Sequence, residues 1–118
     1  IWLCWHPQTN GDANKAKFQA LETFIDTQRQ AGRGGGFVTY GGDAYQYALL
    51  ASGTLDLVLE DQLKPYDILP LIPLMENAGG VVTSWTGEAI TLDTFDGTVL
   101  AAANPVLHRA CFQFLREC

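Results

Sequence analysis

The chain has 118 residues, enough for one domain. Its hydrophobic fraction of 47% and charged fraction of 17%, against roughly 25% charged in ordinary soluble proteins, exclude a disordered chain, and its apolar runs are too short to span a membrane. With 7 Lys and Arg against 13 Asp and Glu the net charge is −6, and no stretch clusters basic residues, which excludes nucleic-acid binding through a basic surface.

Residues 1–5 are apolar and rich in strand formers, so they predict a buried strand. A polar turn follows over 7–12. From Asn14 a helical period sets in, with Phe18, Leu21 and Ile25 on one face and Lys15, Lys17, Glu22 and Gln28 on the others. This helix is expected to end near Ala31, before Gly32. Gly34, Gly35 and Gly36 lead into a short strand over 37–40. Gly41-Gly42 makes a sharp turn, and Asp43 is a natural cap for a mostly apolar helix over 44–52 that stops at Gly53. A strand is expected over 55–59 and a polar loop over 60–65.

Asp67 then caps a third helix running to about Ala78, with Pro70 in its first turn and Pro73 kinking it. Gly79-Gly80 ends that helix. Residues 81–83 predict a strand, 85–87 a turn and 98–103 another strand. Asn104 caps the last helix and Pro105 starts it; Leu107, Ala110, Cys111, Phe114 and Leu115 repeat along it at helical spacing. The alternation of strands and helices implies one α/β domain over residues 1–118, with helices packed on a largely buried sheet.

Cys4, Cys111 and Cys118 are odd in number and irregular in spacing, which argues against a disulfide framework and for a reducing, cytoplasmic compartment. Pro7 and its polar neighbours break the opening apolar stretch, so no signal peptide is read there. Ile1 is not Met, and the chain is expected to begin inside a longer or trimmed protein. The low charged share implies a surface covered by a partner or by more of the chain.

Two turns carry the candidate chemistry. In Tyr40-Gly41-Gly42-Asp43, glycines between a strand and a helix allow a ligand to approach backbone N–H groups. The same residues also suit a plain connection capped by Asp43. In the stretch from Glu60 to Asp67, two carboxylates stand at a strand end and a helix start, where α/β sheets place ligands and where a hard oxygen donor suits magnesium. A cap plus a solvated loop acid would use the same residues. Cys4-x-His6 and His108-x-x-Cys111 have zinc-like spacing, but a strand and a helix interior suit packed thiols better. Arg33 among its glycines could meet a phosphate or belong to a surface loop.

Tyr40-Gly41-Gly42-Asp43-Ala44-Tyr45, Asp56-Leu57-Val58-Leu59-Glu60, Leu63-Lys64-Pro65-Tyr66-Asp67 and Glu76-Asn77-Ala78-Gly79-Gly80-Val81-Val82 together resemble the C-terminal half of the inositol monophosphatase family. Tyr66 stands where the family signature usually has Trp, and Asn77 where it usually has a small residue. The Lys64-Pro65-Tyr66-Asp67 variant, the Gly-Gly-Asp turn and Pro73 are most similar to the histidinol-phosphate phosphatase branch. The likeness is strong over 40–82, extends to Ala101-Ala102-Ala103-Asn104, and is weak before Gly36.

The resemblance implies a layered α/β/α sandwich and a magnesium-dependent phosphate monoester hydrolase that forms a homo-oligomer. By position, Asp67 matches the family's Mg²⁺-ligating aspartate and Glu60 a glutamate that hydrogen-bonds the substrate's alcohol. Gly41, Gly42 and Asp43 match the lining of that pocket. An acid at position 43 suits a cationic alcohol such as histidinol. The family's Asp-Pro-x-Asp-Gly-Thr signature and upstream Glu have no counterpart in this sequence. The chain is therefore expected to hold the substrate-recognition part of the enzyme, to contain none of the catalytic residues that activate water, and to be inactive alone. The alternatives are an inositol-1-phosphate or other sugar-phosphate phosphatase, and a non-catalytic ligand-binding or oligomerisation module of the same fold.

Overall fold

Side chains along the strand Leu57–Glu60 alternate between two cores, and that alternation organises the whole molecule. The structure is a computed structural model that describes residues 2–5, 12–30, 37–40, 43–61 and 63–117. Five strands, β1 (Trp2–Trp5), β2 (Phe37–Tyr40), β3 (Leu57–Glu60), β4 (Val81–Thr83) and β5 (Val99–Ala102), form one sheet in the order β2-β1-β3-β5-β4. β1 runs parallel to β2 and to β3, while β5 runs antiparallel to β3 and to β4. The sheet is therefore mixed, and β3 is the strand where parallel pairing gives way to antiparallel.

Helices α1 (Asp12–Gln30) and α5 (Pro105–Glu117) cover one face. There Phe18, Leu21 and Ile25 meet Leu57, Leu59, Leu100, Ala102, Cys111 and Leu115 in one core. Helix α2 (Asp43–Ala51) and the short helices α3 (Pro65–Ile68) and α4 (Ile72–Asn77) cover the other face. There Tyr47, Leu50, Ile68 and Met75 meet Val58, Val82, Val99 and Ala101. Residues of β3 and β5 two apart share a face, as the period of a strand requires. Each fully buried aliphatic or aromatic side chain contributes about 1.5–3 kcal/mol, so the two cores hold the three layers together. Phe18 and Trp85 add an edge-to-face contact at 5.3 Å and 76°, and the Trp85 indole N–H donates to Val99 O at 3.1 Å.

The layered α/β/α sandwich and all five expected strands are present. The helix ends fall within about two residues of expectation, the ordinary uncertainty of helix boundaries. Glu60, expected to open the polar loop, is instead the last residue of β3. The helix foreseen from Asp67 to Ala78 is broken into α3, a 3-10 turn over Leu69–Leu71, and α4. Pro70 and Pro73 are the cause. Each lacks the N–H that would bond the carbonyl four residues back, so two rungs are lost three residues apart. The last helix begins as foreseen, with Leu107 N–H donating to Asn104 Oδ1 at 2.9 Å. No helix among the described residues is long and apolar enough to cross a membrane.

Candidate functional site

The C-terminal end of β3 faces the start of α2 and the whole of α3. A cavity of about 490 Å³ lies between them, lined by Ala44 and Tyr47 of α2, Glu60 of β3, Leu63, Tyr66 and Asp67 around α3, and Pro70 and Leu71. Glu60 and Asp67, the two carboxylates of the second turn singled out in the sequence, thus line one space with the first turns of α2.

Glu60 lies two residues beyond Val58, so the strand period directs it to the same face, toward α2. It is 3% exposed, which excludes a solvated loop acid. A buried carboxylate requires hydrogen-bond partners, and the Nε2 of Gln46, itself 2% exposed on α2, donates to Glu60 Oε1. Sequence reasoning missed Gln46, because it sits in an apolar helix with no motif or spacing to mark it. It also placed Asp61 in a polar loop, whereas Asp61 is 1% exposed.

Asp67 is exposed at the cavity rim. It is not the cap of α3 but its third residue. Lys64 is the cap, and Pro65, at the first helical position, has no N–H to leave unpaired. Lys64 N–H donates to Asp67 Oδ2 at 2.8 Å, and Asp67 N–H donates to Lys64 O at 2.9 Å. This reciprocal pair fixes the carboxylate while Oδ1 takes no hydrogen bond among the described residues. The preceding loop is tied down by Leu63 N–H, which donates to Gly97 O at 3.0 Å.

Gly41, Gly42 and Arg33 lie outside the described residues. Asp43 opens α2 beside the cavity-lining Ala44, but its side chain also lies outside them. No Lys or Arg lines the cavity among the described residues. Its walls offer two carboxylates, two tyrosines and apolar surface. Asp67 fits magnesium as one hard oxygen ligand. The described residues do not complete a set, since no group of three or more His, Cys, Asp or Glu among them is placed to hold a metal ion.

The zinc-like spacings assemble nothing. Cys111 is buried in the α1–α5 core as a free thiol. His108 is engaged elsewhere, with Nε2 2.8 Å from Thr83 Oγ1. The Thr83 hydroxyl donates to Ser84 O at 2.8 Å, so it accepts from the imidazole N–H. The Cys4 side chain and His6 lie outside the described residues.

The model of the inositol monophosphatase family matches residues 3–118. The chain is similar to the chloroplastic bifunctional phosphatase IMPL2 of Arabidopsis thaliana, at 51% identity over 57% of this chain and 19% of that protein. It is similar to the histidinol-phosphatase of Chlorobaculum parvum, at 32% identity over 63% of this chain and 27% of that protein. Its fold matches an inositol monophosphatase structure from Zymomonas mobilis with a TM-score of 0.84 and 27% identity, over 98% of this chain and 42% of that one. The chain thus spans less than half of the relatives it matches. The motifs and the layered sheet agree with these matches: the chain belongs to the inositol monophosphatase family.

Proposed function

We propose that this chain is the alcohol-recognising part of a magnesium-dependent phosphate monoester hydrolase, and that the alcohol is cationic, as in histidinol phosphate. The observation that carries the reading is that a buried Glu60 and an exposed Asp67 line one cavity that contains no cation among the described residues. Such walls repel a phosphate and attract an ammonium or imidazolium. A phosphate ester enters only if metal ions offset the repulsion, and Asp67 at the rim is placed to contribute an oxygen to one. When bound, magnesium supplies the positive charge that stabilises the attacking and leaving oxygens of the transfer.

Within this scheme the chain's own residues divide the work by burial. Glu60, held by Gln46, accepts a hydrogen bond from the alcohol. Asp43, at the start of α2, meets the cationic end of the substrate. The name of the histidinol-phosphatase relative supports this branch, beside an inositol-1-monophosphatase relative of Bacillus subtilis at 30% identity. With one foreseen metal ligand, the chain alone hydrolyses no phosphate ester at an enzymatic rate. Tyr45 and Tyr66, 70% and 76% exposed, favour association with a second copy or with more of the parent protein. The buried free thiol of Cys111 suits a reducing compartment such as the cytoplasm.

The test uses the parent protein with histidinol phosphate and inositol-1-phosphate as substrates. Asp67→Asn should remove most activity toward both. Asp43→Ala should lower kcat/KM for histidinol phosphate by one to two decades, the equivalent of about 1.5–3 kcal/mol for a charged hydrogen bond, and spare inositol-1-phosphate. A wild type that prefers inositol-1-phosphate, or equal losses in Asp43→Ala, overturns the histidinol assignment. Hydrolysis by the isolated chain that disappears in Asp67→Asn overturns the claim that it is inactive alone.

A further inference from the structure

Three of the chain's seven Lys and Arg residues gather around one aromatic ring, that of Phe112 on α5. The ring separates two neighbouring clefts. One, of about 390 Å³, lies between α5 and the start of β4 and is lined by Val81, Pro105, His108, Arg109 and Arg116 together with Phe112. The other, of about 340 Å³, is shared with α1 and lined by Lys17, Trp85, Thr86 and again Phe112 and Arg116. No Asp or Glu lines either cleft among the described residues, although the chain has 13. Positive charge is thus concentrated at one place on an acidic molecule, on the face of the sheet opposite the Glu60–Asp67 cavity.

The ring and one guanidinium are held in place. The Arg116 guanidinium carbon lies 5.8 Å from the Phe112 centroid, within cation–π range. The turn at Gly87 closes on the far edge of the ring, where any added Cβ would stand 3.0 Å from its tip. Arg109, Arg116 and Lys17 form no ion pair with a carboxylate among the described residues. Guanidinium groups with no internal acid to satisfy them retain their full donor capacity for an outside anion, and a fork of N–H groups matches phosphate oxygens in pairs.

We infer that the Phe112 clefts bind a small phosphate monoester with an apolar or planar organic part, its phosphate on Arg109 and Arg116 and its organic part against Phe112, Val81 and Pro105. This site is separate from the Glu60–Asp67 cavity and needs no metal. It uses arginines for the anion where the other cavity offers carboxylates.

The experiment follows backbone amide shifts of the full chain during titration with phenyl phosphate, in 150 mM salt with EDTA present. Saturable shifts are expected along α5 and at residues 81–87, and not at residues 60–71. Arg109→Gln and Arg116→Gln should each weaken binding about tenfold, since both side chains are exposed and their loss leaves the cores intact. Asp67→Asn should bind as the wild type does, and benzyl alcohol should shift nothing. Binding unchanged in the double arginine variant, shifts confined to 60–71, equal binding of benzyl alcohol, or no saturable shift at all overturns the inference. Because EDTA removes magnesium and the readout is not turnover, failure here leaves the reading of the Glu60–Asp67 cavity standing, and the reverse also holds.

Discussion

Gln46 Nε2 donates to Glu60 Oε1 across the gap between α2 and β3, and the two residues are 2% and 3% exposed. A neutral donor facing a buried carboxylate supplies a hydrogen bond that it needs there and fixes where it points. Gln46→Leu leaves Glu60 with one bond fewer in a dry setting and should destabilise the fold by about 1.5–3 kcal/mol. Gln46→Glu should behave differently. Two adjoining carboxylates raise the pKa of the folded pair above its unfolded value, so the variant should be most stable at low pH and lose stability as pH rises through the raised value. Urea unfolding at several pH values checks both. A flat difference between Gln46→Glu and wild type would show that the two side chains do not interact.

Asp67 both starts a helix and lines the cavity, and two substitutions separate these tasks. Asp67→Asn keeps an acceptor for Lys64 N–H, so stability should move by less than about 0.5 kcal/mol. Asp67→Ala removes the acceptor and should cost about 0.5–2 kcal/mol. In the parent enzyme both should lose activity alike, because neither offers an anionic oxygen. Thermal unfolding alongside turnover measures the split.

Adjacent glycines after α4 are needed for different reasons. Gly79 has φ +93° and open space around its Cβ position, so Gly79→Ala costs only backbone strain, about 1–2 kcal/mol, and Gly79→Asn should recover part of it. A Cβ on Gly80 would stand 3.0 Å from the backbone carbonyl oxygens of both Ala102 and Met75. Gly80→Ala must therefore separate α4 from β5, at about 1–3 kcal/mol, and Gly80→Asn should recover nothing. Denaturant midpoints of the four variants give the comparison.

Burial holds His108 below its ordinary pKa near 6.5. The folded state then binds fewer protons than the unfolded state as pH falls below that value. The stability contributed by neutral His108 is present above the unfolded pKa and is lost as pH falls toward the lowered folded value. His108→Gln should flatten that part of the stability curve while keeping a donor for Thr83. Parallel slopes for the two proteins between pH 7.5 and 5 would count against it.

The elements of this fold were legible because each carries a local signature. Asn104-Pro105 announces α5, and the spacing of Phe18, Leu21 and Ile25 announces α1. The candidate cavity was legible only through the carboxylates Glu60 and Asp67, and the sheet completes it by placing the end of β3 beside α2. What no local pattern contains is the partner of a buried group. Gln46 lies 14 residues from Glu60 in an apolar helix, and only packing brings them together. The breaking of α3 from α4 is partly visible in the sequence: Pro73 predicts a kink, but the 3-10 turn Leu69–Leu71, which contains Pro70, arises from the combined effect of two prolines three residues apart. The mixed order of the sheet depends on long-range pairing, for which the sequence has no period.

All four side chains of β3 are buried, and its last one is Glu60. A slip of one residue along that strand would exchange the two cores and turn the carboxylate away from its cavity. The acid is thus locked to the frame of the sheet, and no gradual path can shift it. Change would have to come from the surrounding walls instead, where Ala44, Tyr66 and Leu71 sit on helical segments outside the sheet. Under the function proposed above, a new alcohol would be accommodated without redrawing the skeleton.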